Sequence, residues 1–401
     1  MFWEVLVALF CGILFGVFTG LFPGIHVNLI SVLLLSLSPL LLLYTSALVL
    51  SVFIISLAIT HSFVDSIPSI YLGAPDEAQA LSVLPGHLLL HRGEGHNAIL
   101  CTVIGSYGCL FFSLLIFPLL LLGMNVIYSL IESFIGYILL LIMAAMIFRE
   151  KGKRLMTLVC FLLAGCLGLV VFSIHSLSQP LFPLLSGLFG LSIMLVSLMQ
   201  NAELPIQDDS LPLQLPLKTA GKAISAASVV GFVAAFLPGF GNSQAAIIAN
   251  EIVRESEPEG FLVLTGGINT ANMLISIGTV YALSKARNGA IVAIRELVGN
   301  VDFSMMLLFL LVALVVGSVA VLLTVSLSKL FATLASRINY VDIIFWIILL
   351  ICSLTYLFDG FVGLLVLCVS TCLGLLASVC GVGKNHLMGC LIVPVILYFV
   401  L

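Results

Sequence analysis

The chain has 401 residues, of which 62% are hydrophobic and 8% charged, with a formal net charge of −4. Soluble domains carry about 25% charged residues, so this composition excludes an ordinary soluble protein and indicates an integral membrane protein. The small net charge gives no reason to expect a nucleic-acid partner. No polar stretch is long enough for an ATP-hydrolysing domain. We therefore expect a multi-pass protein whose constant partner is the lipid bilayer, in the cytoplasmic membrane.

Uncharged apolar runs recur along the whole chain, beginning with Val5 to Val64. At about 20 residues per crossing, they predict roughly a dozen to fourteen membrane segments. The N-terminal segment lacks the basic start and small-residue cleavage site of a secretory signal, so it is predicted to be the first membrane helix. The ten cysteines form no CxxC pair. We expect neither a metal site nor a cofactor.

The stretch GLFPGIHVN, Gly20–Asn28, interrupts the first apolar run. Pro23 and Gly24 predict a broken helix, whose freed backbone groups need a partner inside a membrane. The helix that restarts there would turn its N-terminal amides toward an anion, and His26 and Asn28 add polar side chains. A kink that only helps helices to pack is the alternative.

The segment SIPSIYLGAPDEA, Ser66–Ala78, contains two prolines and a glycine among small polar residues, so one continuous helix is excluded. It predicts a hairpin that dips into the membrane, with Gly73 at its tip and Ser66 and Ser69 available to a substrate. Asp65, just before it, is a candidate ligand for a coupling proton or sodium ion. The alternative is an aspartate that caps a helix at the membrane interface.

Several histidines lie near this segment. His87 and His91 are four residues apart, but without a third ligand at suitable spacing we expect a solvated loop rather than a metal site. His61 is one helical turn before Asp65 and is expected to be able to hydrogen-bond it. A membrane-embedded enzyme that uses His61, Asp65 or His26 is a third interpretation. We expect no enzyme, because no nucleophile–base pair apart from His61 and Asp65 has a helical spacing.

A second Pro-Gly break, PGFGNS, follows another apolar helix and corresponds to PGIHVN in the first half. Its candidate substrate-binding residues are Pro238, Gly239, Gly241, Asn242 and Ser243. The segment GGINTANM follows and contributes Asn269, Thr270 and Asn272. Because Asn269 and Asn272 are three apart, they are predicted to share one helix face. An interhelical clamp is the structural alternative for these amides.

The paired breaks and polar patches predict two structural repeats, residues 1–200 and 218–401, joined by an exposed linker at 201–217. Two Pro-Gly pairs that match by chance are the alternative. The basic cluster REKGKR, Arg149–Arg154, is predicted to be cytoplasmic, together with Arg92 and the linker. The first half then has about seven crossings, an odd number, which predicts repeats of inverted topology.

The order of these motifs resembles one known family. GxxPG, then IPSIYLGAPDEAxALxxLPGHxLxxxGxGxxAI, then a second PGxG and a GGxxTANxx block, is similar to the large membrane subunit of the tripartite tricarboxylate transporters. The resemblance runs from about Phe10 to the C-terminus and is most specific at Ile67–Gly95 and Phe232–Asn272. The PGIHVN form, with His26, resembles the shorter, mainly archaeal branch of the family.

The resemblance implies an all-α permease. Bacterial members work with an extracytoplasmic binding protein and a small second membrane subunit, whereas the archaeal-like branch often occurs without either. Breaks and residues together predict a secondary transporter that moves a small organic anion, expected to be a carboxylate, with sodium ions or protons. A translocase of a lipid-linked phosphate, such as a polyprenyl phosphate, is the alternative, because helix N-termini also bind phosphate.

Overall fold

The computed structural model describes residues 2–22, 27–73, 77–199, 205–236, 241–254, 257–284, 286, 288–335 and 340–400. These residues form helices and connecting turns, and none of them lies in a β-strand. Helices from the first 200 residues are α1 (Phe2–Leu21), α2 (Val27–Leu41), α3 (Ala47–Val64), α4 (Ser66–Tyr71), a 3-10 helix (Glu77–Ser82), α5 (Val83–Leu90), α6 (Gly95–Ile131), a 3-10 turn (Glu132–Phe134), α7 (Ile135–Arg149), α8 (Arg154–Ser173), α9 (Leu181–Leu185), a π-helix (Ser186–Leu191) and α10 (Ser192–Met199).

The remaining helices are α11 (Leu217–Phe236), α12 (Asn242–Val253), α13 (Pro258–Leu283), α14 (Gly289–Val298), α15 (Phe303–Ala335), α16 (Tyr340–Val379), a 3-10 helix (Lys384–Met388) and α17 (Gly389–Val400). In α16, Gly360 has φ +60° and ψ −150°, a conformation open to glycine alone, so the helix is divided there. The adjacent Asp359 accepts hydrogen bonds from the backbone N–H groups of Ser178 and Gln179.

Eight helical segments among the described residues are long and apolar enough to cross a membrane, which confirms the predicted all-α polytopic fold. They are Phe2–Leu21, Ala47–Tyr71, Gly95–Met124, Arg154–Ser173, Leu217–Ala235, Pro258–Leu283, Phe303–Leu334 and Ile344–Val379. The predicted number of membrane segments, a dozen to fourteen, is higher than eight for two reasons. The uncharged run from Gly95 to Ile131 forms one long helix, and four other apolar helices have only 10–17 residues.

Helices α1 and α3 pack closely through glycines one turn apart. A Cβ atom added at Gly12 would lie 2.6 Å from Ser56 Cβ, and one at Gly16 would lie 2.5 Å from Thr60 Cβ. Small residues every four positions allow such close approach of membrane helices. In the second half α11 packs along α13, where a Cβ added at Gly231 would lie 2.9 Å from Ala271 Cβ. Both pairs consist of the helix before a Pro-Gly break and the long helix that follows it.

Helices α6 and α13 cross at backbone contact and join the two halves of the chain. A Cβ added at Gly105 would lie 1.9 Å from the carbonyl oxygen of Val263, and one added at Gly266 would lie 2.4 Å from the carbonyl oxygen of Thr102. Ser106 Oγ donates to the Gly266 carbonyl oxygen across the same crossing, at 3.0 Å. The position of α13 relative to the first half is therefore fixed by glycines.

The linker and the predicted cytoplasmic groups gather at one end of the molecule. Asp208 N donates to the Gly93 carbonyl oxygen, next to Arg92. Lys329 Nζ lies 4.0 Å from Asp209 Oδ2, and Arg149 forms an ion pair with Glu251. The cytoplasmic placement of this end stays a prediction from positive charge.

The described linker residues are exposed or half-exposed apart from Gln207, whose side-chain amide donates to the Leu90 carbonyl oxygen and accepts from Gly95 N. One expectation about exposure was wrong. The segment around His87 is not a solvated loop. It belongs to α5, where Leu89 and Leu90 are also buried, so the helix turns one apolar face and His87 into the protein.

Candidate functional site

A chain of hydrogen-bonded side chains converges on Asp65, at the junction of α3 and α4. The carboxylate is buried, with 3% of its surface exposed. On one side, Gln79 Nε2 donates to Asp65 Oδ1 at 3.2 Å. Gln79 Oε1 in turn accepts from Ser82 Oγ at 2.9 Å. This first arm therefore comes from the short 3-10 helix that follows the predicted hairpin tip.

The second arm comes from the other half of the chain. Asn269 Nδ2, on α13, donates to Asp65 Oδ2 at 2.9 Å. Asn269 Oδ1 accepts from Asn242 Nδ2, on α12, at 3.0 Å. Asn242 Oδ1 accepts from Asn272 Nδ2, on α13 again. Ser276 Oγ lies beside the end of this arm, where it donates to the Asn272 carbonyl oxygen at 2.7 Å and is 3.5 Å from Asn272 Oδ1.

Both arms have the same direction. An ionised carboxylate only accepts hydrogen bonds, so the amides of Gln79 and Asn269 must turn their NH₂ groups toward Asp65. Their oxygens then face outward, which fixes the orientation of the next amide, Asn242. Every donor in the chain points toward Asp65, and aligned hydrogen bonds strengthen one another in a low-dielectric interior. The two arms therefore end on the two oxygens of one carboxyl group, with their amide donors turned toward it.

The network lies deep in the membrane-spanning part of the molecule. Asn269 is eleven residues from the start of α13, or about 17 Å at 1.5 Å per residue. The hydrocarbon core of a bilayer is about 30 Å thick, which places Asn269 near its middle. Buried polar groups at this depth are costly unless they are hydrogen-bonded, and this network satisfies them.

The network becomes accessible at the N-terminus of α12. Asn242 and Asn272 are half-buried, whereas Asp65 and Asn269 are buried. The N-cap residue of α12 is Gly241, which has an extended conformation and no side chain to cap the first-turn amides. A helix start of this kind attracts an anion. Two asparagine side chains and this helix terminus thus lie together at the open end.

The predicted residues fall into three groups. Asp65, Asn242, Asn269 and Asn272 lie in the hydrogen-bonded network. Five predicted residues lie outside the described residues: Pro23, Gly24, His26, Pro238 and Gly239. Asn28 lies in α2, but its side chain also falls outside the described part of the structure.

The other predicted residues border the network. Ser69 Oγ donates to the Asp65 carbonyl oxygen at 2.8 Å, and Ser66 Oγ donates to the Phe63 carbonyl oxygen at 2.9 Å, so both hydroxyls are used within their own helix. Ser243 is buried in the first turn of α12. The Thr270 hydroxyl is buried and has no hydrogen-bond partner among the described residues. It points away from Asn269 because successive helical residues are about 100° apart.

Gly73 and His61 lie close to the same region. Gly73 is buried with φ +60°, and a Cβ atom there would lie 3.2 Å from the His87 ring. Ile70 on α4 contacts Gly86 on α5, since a Cβ at Gly86 would lie 2.6 Å from the Ile70 side chain. His61 Nδ1 lies 3.0 Å from Thr19 Oγ1.

Sequence reasoning missed Gln79, Ser82 and Ser276. Gln79 and Ser82 lie just beyond the segment Ser66–Ala78 that is predicted to form the hairpin. A signal was present, because glutamine and serine three residues apart in an apolar stretch share one helix face. Ser276 likewise extends the Asn269 and Asn272 face by one turn.

A cavity of about 300 Å³ lies next to the network. Ala80 and Leu81 form one wall, on the 3-10 helix that also carries Gln79. Asn250 and Phe261 form another, each eight residues along its helix from Asn242 or Asn269, or about 12 Å. The cavity is also lined by Glu251, the partner of Arg149 in the cytoplasmic cluster, so it lies toward the predicted cytoplasmic end.

Lys384 lies in the cavity wall. It is buried, and its Nζ donates to the carbonyl oxygens of Leu188 at 3.4 Å and Gly374 at 3.3 Å and to the Ser192 hydroxyl. Lys384 therefore ties the π-helix to α16. Within the described ranges, no three His, Cys, Asp or Glu residues lie close enough to hold a metal ion.

Comparison with known proteins gives the chain a family context. The profile of the "Tripartite tricarboxylate transporter TctA family" matches residues 6–389. An uncharacterized protein of Methanocaldococcus jannaschii is 31% identical over 357 residues, which are 86% of this chain and 88% of that protein. No solved structure matches the chain.

Proposed function

The chain belongs to the tripartite tricarboxylate transporter TctA family, and from this premise we propose that it is a secondary active transporter of a small organic anion. The proposed substrate class is a carboxylate, and the proposed driving ion is sodium or the proton. The family gives the coarser statement that the chain is a multi-pass component of a membrane transport system.

The observation that carries this proposal is the network that converges on Asp65. It joins an arm from the first half of the chain to an arm from the second. Secondary transporters built from repeats place substrate and ion where interrupted helices of the two halves meet. The uncapped start of α12 beside Asn242 and Asn272 suits a carboxylate group, since amide N–H groups and a helix N-terminus both favour negative charge.

Asp65 is the proposed site of coupling. Its two oxygens are the end points of both arms. Binding of a proton or a sodium ion changes the charge of the Asp65 carboxylate. The favoured orientations of the Gln79 and Asn269 amides then change as well. Because Asn269 is hydrogen-bonded to Asn242, ion binding at Asp65 would alter the donors offered to an anion at α12. This link between ion and substrate is the basis of the proposed symport.

The cavity beside the network is the proposed cytoplasmic path. Its volume of about 300 Å³ lies at the lower end of the range typical of small-molecule pockets, about 300–1,000 Å³. Asn250 Oδ1, in its wall, is buried without a hydrogen-bond partner among the described residues. A polar wall about 12 Å from the network suits a hydrated anion leaving the site.

Two further features belong to the proposal. We treat residues 1–200 and 218–401 as repeats of inverted topology. The parallel packing of α1 on α3 and of α11 on α13 supports the repetition, and the odd number of predicted crossings in the first half supports the inversion. The word tripartite in the family description supports a binding protein and a small membrane subunit as partners.

Uptake into proteoliposomes tests the proposal. Purified protein is reconstituted, and labelled di- and tricarboxylates are offered under an imposed sodium gradient and, separately, a proton gradient. Uptake that depends on one gradient supports the proposal and names the ion. No uptake of any carboxylate by folded protein, combined with transfer of a labelled polyprenyl phosphate between leaflets, would replace it with the lipid-linked phosphate alternative.

Replacement of Asn272 by leucine tests the open end of the network. We expect Asn272→Leu to lower uptake at least about tenfold, because it removes one donor to Asn242 and leaves a polar partner unsatisfied. The control is Asn300→Leu, at an exposed turn far from the network in sequence. Equal uptake by the two variants would contradict the assignment of this end to the substrate.

Replacement of Gln79 by leucine tests the first arm. We expect Gln79→Leu to lower uptake about tenfold and to shift the dependence on the driving ion, because Asp65 loses one of its two amide donors. A purely structural role of Gln79 would change protein yield without moving the ion dependence. The measurement is initial uptake rate against ion concentration at fixed substrate.

A further inference from the structure

A groove with a volume of about 550 Å³ runs between α7 and α8, far from the Asp65 network in the fold. Its floor is α17, which contributes Val393, Ile396 and Leu397. Both α7 and α8 pack on α17 but touch each other at few points. The two helices therefore stand apart and leave an open apolar channel over the third.

Glycines set the depth of this groove. A Cβ atom added at Gly168, on α8, would lie 1.9 Å from the Cys390 carbonyl oxygen, and one at Gly136, on α7, would lie 2.8 Å from the Val400 side chain. The α8 wall thus meets the backbone of α17, and the α7 wall meets side chains of α17. The walls are the apolar side chains Leu140, Met143, Ala144, Ile147, Phe148, Leu155, Leu158, Phe161 and Leu162.

The groove has one charged end. Arg154, the first residue of α8, lines it there. Among the described residues, the Arg154 guanidinium forms no ion pair or hydrogen bond, and neither does the Lys151 ammonium group in the adjoining turn. The acid of that turn, Glu150, lies 3.3 Å from His386 Nε2. A positive charge is therefore available where the groove reaches the predicted cytoplasmic surface.

The dimensions fit a lipid in one leaflet. From Arg154 to Leu162 the groove follows eight residues of α8, or about 12 Å. One leaflet contributes about half of the roughly 30 Å hydrocarbon core, so an acyl chain can lie in the groove with its headgroup at the basic turn. Basic pockets between helices on the cytoplasmic side suit anionic headgroups, and that leaflet carries the negative lipids.

We propose that the groove between α7 and α8 binds an anionic phospholipid, with an acyl chain against α17 and the headgroup phosphate at Arg154. Charge complementarity favours an anionic lipid over a zwitterionic one. The acyl chain of either lipid can fill the apolar groove, but only the anionic lipid has a net negative charge to pair with the Arg154 guanidinium. A lipid bound here differs from the lipids that surround the rest of the protein, because its binding requires both the groove and Arg154.

Native mass spectrometry of the purified full-length protein tests the site, with phosphatidylglycerol and phosphatidylcholine as probes. We expect wild-type protein to retain phosphatidylglycerol about five- to tenfold more strongly, and Arg154→Gln to remove that preference. Arg92→Gln, an exposed arginine at the same end of the molecule, is the charge control and should keep it. Equal retention of both lipids by wild-type protein would overturn the proposal.

A matched pair of variants tests the groove itself. Ala144→Phe fills it, whereas Ala145→Phe adds the same side chain at an exposed position outside its lining. We expect only Ala144→Phe to lower phosphatidylglycerol retention, at least about fivefold. Equal retention by both variants would overturn the proposal. So would displacement of the lipid by inorganic phosphate alone, because it would indicate an anion site without an acyl-chain requirement.

Discussion

Asp65→Asn is expected to abolish gradient-driven uptake, with a loss of about a hundredfold or more. The substitution keeps the size of the side chain but replaces one acceptor oxygen with a donor NH₂ group. Gln79 Nε2 and Asn269 Nδ2 both donate to the carboxylate, so one of them meets another donor. A lost hydrogen bond to a charged group is worth about 1.5–3 kcal/mol, and 1.4 kcal/mol is tenfold. The removal of the coupling charge adds to this loss.

The same variant is expected to fold as well as the wild-type protein. The lost hydrogen bond destabilises the fold, but a neutral amide costs less to bury than a carboxylate, so the two effects oppose each other and thermal unfolding in detergent should change little. Asp302→Asn is the control, because Asp302 caps the start of α15 and asparagine caps equally well. Wild-type uptake by Asp65→Asn would remove Asp65 from the mechanism.

Gly105→Leu is expected to prevent assembly of the two halves. Even the first atom of a side chain at this position would lie 1.9 Å from the Val263 carbonyl oxygen, on the backbone of α13. Backbone cannot move aside as the end of a flexible side chain can, so α6 and α13 must separate. Gly105→Ala should already lower the free energy of unfolding by about 1–3 kcal/mol, the usual cost of overpacking.

Gly221 provides the matched control, because nothing lies within 4 Å of a Cβ atom added there. It lies within α11, where alanine is a better helix former by about 1 kcal/mol. Gly221→Ala should therefore raise stability while Gly105→Ala lowers it, as measured by thermal unfolding of the purified protein. Two glycine-to-alanine changes of the same sign and size would contradict the close crossing of α6 and α13.

The central residues of the site could be predicted from the sequence because membrane burial makes polar groups conspicuous. Asp65, Asn269 and Asn272 stand out in apolar surroundings, and the three-residue spacing of the asparagines gives them one face. The same periodicity could have excluded Thr270, which comes directly after Asn269 and is turned about 100° away.

The remaining contacts depend on tertiary packing and could not be predicted. Gln79 reaches Asp65 only because residues 77–82 form a 3-10 helix folded back against α4. The burial of Gln207 depends on a long-range hydrogen bond to Leu90. The residues next to Gln79 and Gln207 in the sequence do not indicate either contact, because each depends on how distant segments of the chain pack against one another.

The contact between Gly105 and Val263 has a mechanical consequence. Alternating access is commonly pictured as two halves that rock against each other, yet here one long helix of each half is locked to the other by backbone contact. We expect α6 and α13 to keep one fixed crossing rather than slide past each other. A substrate path would then open and close through movement of the shorter helices around them, which are α12, the 3-10 helix Glu77–Ser82 and α5.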